Sequence, residues 1–98
     1  MIAYSNRAVA DLRKISTDSR RTFGEKVAEE LGSHIQATIE HIGREPHSGH
    51  ELKQKRDVYT FPLVQYPFKI FYRVFKGGIR IQHIRHTSRR VWEGKRKA

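Results

Sequence analysis

Cysteine is absent from the 98-residue chain, so no disulfide frame of the kind that holds small extracellular domains together can form. No apolar run approaches the roughly 20 residues needed to cross a bilayer. The opening stretch "MIAYSNRAVADL" has neither the apolar h-region nor the small-residue cleavage site of a secretory signal. A cytoplasmic protein is the expectation. No phosphate-cradling glycine loop and no serine–histidine–acid arrangement is present, which removes two large enzyme classes. Acidic residues are scarce in one half only. Residues 1–45 balance seven Lys/Arg with seven Asp/Glu, whereas residues 46–98 set thirteen Lys/Arg against Glu51, Asp57 and Glu93, so the whole net charge of +10 lies in the second half. Such a field attracts phosphates or an acidic protein and speeds encounter with either.

The length suits a single domain with one small core. Ala8, Val9, Leu12 and Ile15 recur at helical spacing behind Ser5 or Asn6 as cap, which predicts a helix over about residues 6–20. Phe23-Gly24 interrupts it. Val27, Leu31, Ile35, Ile39 and Ile42 then form one stripe of a second helix over about 25–43. Gly32 inside that helix costs roughly 1 kcal/mol relative to alanine and is expected to mark close packing against a neighbour. Two successive helices with one apolar stripe each make an antiparallel hairpin. The Gly-, Pro- and charge-rich stretch 43–57 reads as a surface loop.

Beyond the loop, Val58–Leu63, Phe68–Phe75 and Ile79–Arg85 are rich in aromatic and β-branched residues at alternating positions and read as three strands. Pro62 implies that the first is bulged or ends early. With Gly77-Gly78 as a two-residue turn, Val74 pairs with Ile81, Phe71 with Ile84 and Lys69 with His86. That register puts Phe68, Ile70, Tyr72, Val74, Ile79 and Ile81 on a face covering the helices. The opposite face carries Lys69, Phe71, Arg73, Phe75, Arg80, Gln82, Ile84 and His86, a basic surface interleaved with aromatics. The segment 93–98 reads as a frayed basic tail.

The open face suits phosphate neutralisation with Phe71 or Phe75 as a stacking plane, although a solvated face with long side chains lying over apolar neighbours has the same pattern. Metal-free RNA cleavage needs a base, an acid and a cation for the developing phosphorane charge. His86 offers the first or second, with Lys69 and Arg89 as cations. His47/His50 and His83/His86 have metal-like spacing. Residues three apart on a strand point to opposite faces, and the first pair lacks a third ligand, so neither metal nor any other cofactor is expected.

Three stretches, "YSNRAVADLRKI", "FGEKVAEELGSHIQATIEHIGREPHSG" and "YPFKIFYRVFKGGIRIQHIRHTSRRVW", resemble the RelE/ParE superfamily of bacterial toxins along nearly the whole chain. The last is similar to the ParE-like form, with its terminal His, Arg and Trp. The resemblance implies an α+β fold in order β-α-α-β-β-β, with an N-terminal strand and a helical hairpin packed on one face of a small, mainly antiparallel sheet. It also implies a toxin of a type II toxin–antitoxin (plasmid stabilisation) module, neutralised by an acidic antitoxin whose extended segment wraps it. ParE-like members poison DNA gyrase without known hydrolysis, while RelE-like members cut mRNA on the ribosome. By position, Lys69 takes the basic place in the strand, Arg89 or Arg90 the late arginine, and Lys53 or Lys55 the loop lysines. "RRVWEG" offers Trp92 where the nuclease branch often has tyrosine, which favours the ParE branch. The surface expected to bind target or antitoxin comprises Lys53, Lys55, Arg73, Arg80, Arg85, His86, Arg89, Arg90 and Trp92. A ribosome-dependent endoribonuclease using Lys69, His86 and Arg89 is the alternative, and an inactive homologue retaining antitoxin binding is a third.

Overall fold

The structure, a computed structural model, describes residues 1–87. Strand β1 (Ile2–Tyr4) leads into helix α1 (Asn6–Phe23) and helix α2 (Glu25–Arg44). A single 3-10 turn, Pro46–Ser48, is followed by β2 (His50–Glu51), β3 (Val58–Pro62), β4 (Phe68–Phe75) and β5 (Gly78–His86). The five strands form one sheet in the order β1-β5-β4-β3-β2. β1 runs parallel to β5 and every other pairing is antiparallel. The two-residue β2 lies inside the stretch expected to be loop, and the expected helices and strands are otherwise present.

Both helix starts have a local cause. The Ser5 side chain accepts a hydrogen bond from the Ala8 amide at 3.0 Å and so caps α1. Gly24, at φ 96, takes a backbone conformation that a side chain would strain and ends α1, with its N–H donating to the Arg20 carbonyl at 3.0 Å. Along α2, Leu31, Ile35, Ile39 and Ile42 are buried, as the stripe required. They meet Ile70, Tyr72, Ile79, Ile81 and Ile84 of the sheet in one core. Each such side chain contributes roughly 1.5–3 kcal/mol on full burial.

Gly32 does not mark close packing: it is exposed, and a Cβ placed there would meet nothing within 4 Å. The tight glycines are elsewhere. A Cβ at Gly49 would lie 2.6 Å from the Tyr72 hydroxyl and from the Thr60 carbonyl oxygen. The Tyr72 hydroxyl accepts from the Gly49 N–H at 3.1 Å and donates to the Pro46 carbonyl at 2.7 Å, tying the turn after α2 to the centre of the sheet.

The β4–β5 register differs from the expected one at two places. The turn residues are Lys76 and Gly77, because Gly77 takes the positive φ of 96 that the turn needs, and Phe75 therefore pairs with Gly78. A bulge then shifts the pairing between Phe71 and Tyr72, so that Tyr72 faces Ile81 but Phe71 faces His83. Gln82 is the extra residue. Its carbonyl accepts a hydrogen bond from the Ser5 hydroxyl at 2.7 Å, and the Ser5 amide donates to the Ile81 carbonyl at 2.9 Å. Past the end of β1, the Asp11 carboxylate accepts from the Ile84 amide at 3.0 Å, so α1 covers the edge of β5 that β1 leaves open. Ile84 is buried in the core and His86 lies on the helix side, both having been expected on the open face.

Candidate functional site

The bulge sorts the basic half of the chain onto two surfaces. On the face turned away from the helices, β4 and β5 present three side-by-side pairs: Arg73 with Arg80, Phe71 with His83, and Lys69 with Arg85. The Phe71 and His83 rings are parallel within 8°, with centroids 4.3 Å apart. Lys69 Nζ lies 5.8 Å and Arg85 Cζ 6.0 Å from the Phe71 ring centroid, within the range of cation–π attraction. Arg73, Arg80 and Arg85 are exposed. Among the described residues, no carboxylate pairs with any of the four cations of this face.

His83 is the group of this face whose proton affinity the surroundings alter. Burial lowers its pKa most and the positive charge of Arg7 next; Asp11 pulls the other way, and Arg85 and Lys55 add weaker pushes downward. A neutral imidazole is therefore the resting form at neutral pH. Its buried Nδ1 has no hydrogen-bond partner among the described residues, which adds to the cost of charging the ring. Lys55 thus stands close enough to act on the cluster, while Lys53 is exposed in the same loop.

His86 stands on the other surface. Its ring meets Phe68 edge-on, with centroids 5.1 Å apart and planes at 71°, and it lines a groove of about 970 Å³ between α1 and the end of β5, which His83 and Arg85 line as well. Ile15, Phe23, Leu31 and Ile84 supply apolar walls, with Lys14 and Asp18 at the polar lip. Lys69 and His86, expected as neighbours in a nuclease site, are separated by the sheet because Lys69 pairs with Arg85 and His86 with Phe68. Arg89, Arg90 and Trp92 lie outside the described residues.

Sequence reasoning missed His83, Arg7 and Asp11. Nothing in the local pattern of "RIQHIRH" announces a bulge, since alternation reads equally well in either register. No group of three or more His, Cys, Asp or Glu able to hold a metal occurs among the described residues, and no described helix is long and apolar enough to cross a membrane.

The sequence model for the ParE toxin of type II toxin–antitoxin systems, parDE, matches residues 2–91. No curated protein matches the sequence. Among solved structures, the chromosomal ParDE system from P. aeruginosa superposes with a TM-score of 0.75 at 21% identity, over 87% of this chain and 92% of that one. The isolated E. coli RelE toxin superposes with a TM-score of 0.63 at 15% identity, over 97% and 92%. An E. coli RelE mutant in complex with an antitoxin RelBc peptide gives 0.52 at 19% identity, over 100% and 97%. At these identities the structural likeness speaks for the fold.

Proposed function

Because the chain belongs to the ParE toxin family of type II toxin–antitoxin systems, we propose that it acts by inhibiting DNA gyrase without hydrolytic chemistry and is neutralised by a cognate acidic antitoxin. The observation that carries the non-hydrolytic reading is the separation of Lys69 from His86. General acid–base work requires both groups within reach of one phosphodiester, and the sheet stands between them. The antitoxin reading draws on the groove beside α1, whose apolar walls and mixed lip suit an amphipathic segment, and on the cations of the open face, which pair with no carboxylate among the described residues. The RelE structure with its RelBc peptide offers a precedent in the same fold.

Titration of the antitoxin-free protein into purified gyrase and relaxed plasmid tests the target. Loss of supercoiling with trapped cleaved DNA at stoichiometric toxin is expected. A folded preparation that still binds its antitoxin yet leaves supercoiling unchanged would sink the gyrase reading.

One observation favours a second reading. His83, neutral and flanked by Lys69 and Arg85, is a base beside an ammonium able to serve as the acid and a guanidinium able to meet developing charge, the three roles that metal-free mRNA cleavage needs. On that reading His83→Ala, rather than His86→Ala, abolishes cleavage by at least about 100-fold.

A further inference from the structure

With a net charge of +10, two copies of this chain repel each other wherever their basic surfaces approach. One part of the surface lacks that repulsion. The stretch "LVQYPF" over residues 63–68, which joins β3 to β4, and the stretch "TFG" over 22–24, between the helices, hold no charge. The fold brings the two together, since Thr22, Phe23, Tyr66, Pro67 and Phe68 border one groove. His34 ties the loop to α2, its ring centroid 5.3 Å from that of Tyr66. Apolar side chains stand out into solvent here: Val64 is 85% exposed and Phe23 54%. Beside them the charges are of both signs. Lys26, Glu29 and Glu30 border a shallow depression with Gln65 and Tyr66, and Arg20 pairs with Glu25 at 2.6 Å.

We propose that the β3–β4 loop and the break between the helices together form a contact surface for a second copy of this chain, the two copies meeting about a two-fold axis. A specific interface has an apolar centre inside a polar rim. Val64, Phe23 and Tyr66 supply the centre, and Lys26, Glu29 and Glu30 the rim. In a two-fold contact the same patch meets itself, so a rim of mixed sign can set the Lys26 of each copy against an acidic residue of the other. The open sheet face would meet itself as cation against cation. An acidic partner is drawn to that sheet face and finds no excess of positive charge at this end, which leaves an equally uncharged apolar surface as the fitting occupant. Phe23 and Phe68 also wall the groove, so a second copy seated here narrows access to it, and antitoxin-free toxin shields its own apolar end. The inference concerns the toxin alone and holds whether or not the gyrase and antitoxin readings do.

The test is sedimentation velocity of the full chain over a range of micromolar concentrations, at salt below and well above about 0.15 M. A monomer–dimer equilibrium is expected. Added salt should tighten it, because screening removes the repulsion between two positive bodies and leaves the apolar contact in place. Val64→Asp puts a carboxylate at the centre of the contact and should weaken the dimer by at least about tenfold. Lys26→Glu makes the rim acidic and should weaken it as well. Both substitutions lower the net positive charge, so a general charge effect would change the affinity in the opposite direction. Val64 and Lys26 are exposed, so their variants keep the fold, which circular dichroism checks. Monomers at every concentration and salt would overturn the proposal and leave this end to a different protein. Dimers that salt dissolves would overturn it too, placing the contact between the acidic residues of α2 and the cationic sheet face. So would dimers indifferent to Val64→Asp.

Discussion

At the scale of the residue, Tyr72 and His83 show how position in the sheet converts an ordinary side chain into a structural or chemical device. Tyr72 is fully buried and stacks on Tyr59 with centroids 5.5 Å apart. Its hydroxyl is the meeting point of the Gly49 amide and the Pro46 carbonyl, and burial raises its pKa, so it remains a donor. Tyr72→Phe leaves both backbone groups without that partner and is expected to cost about 1–3 kcal/mol. Urea unfolding measures it, and an unchanged midpoint would mean that water replaces the hydroxyl without penalty. His83 behaves oppositely toward protons. Its folded-state pKa is depressed, chiefly by burial, so the unfolded chain binds more protons in mildly acidic solution. Its contribution to stability is present in full above the unfolded value of about 6.5 and is lost as pH falls below it. Thermal unfolding from neutral to mildly acidic pH should show a steeper loss for the wild type than for His83→Phe. Parallel curves would show that other groups govern the acid limb.

At the scale of the element, α2 and β5 differ in how much of their behaviour is local. The α2 stripe is a property of spacing, and every member from Leu31 to Ile42 is buried where the period places it. Gly32 was the misread residue, since a helical glycine signals either close approach or nothing, and only the neighbours distinguish the two. With open space beyond its Cα, Gly32→Ala is expected to stabilise the protein by about 1 kcal/mol, seen as a higher urea midpoint. A lower midpoint would reveal a contact that the open space does not suggest. β5 is different. Its first half follows the turn and its second half follows α1, because Ser5 holds the Gln82 carbonyl and Asp11 holds the Ile84 amide. Those partners are more than seventy residues away in the chain. Alternation within β5 cannot encode them. That is why the strand was legible and its register was not.

At the scale of the whole molecule, a neutral helical half carries a sheet whose open face is cationic and whose opposite side is closed by the helices. The excess of +10 over residues 46–98 is too large to serve local ion pairing, since the ion pairs among the described residues, Arg7–Asp11, Lys14–Asp18, Arg20–Glu25 and Arg21–Asp18, all lie in the first half. It acts as a field on partners. Association with the proposed acidic antitoxin should therefore slow steeply as salt is raised from well below to above about 0.15 M, where the screening length is about 8 Å. Dissociation should change far less. Stopped-flow measurement at several salt concentrations separates the two, and an association rate indifferent to salt would show that the basic half is not what the antitoxin meets first.

Sequence alone determined the composition of the two halves, the two helices, the three main strands and the alternation that makes one face basic, because each depends on residues within a few positions of one another. The tertiary structure decided which histidine stands among the cations. A single bulged residue moved His83 onto the open face with Phe71, turned Ile84 into the core and left His86 in the groove beside α1. The physical reason is the period of two in a strand: one extra residue exchanges the faces of everything beyond it, and the hydrogen bonds that hold that residue come from the far end of the chain.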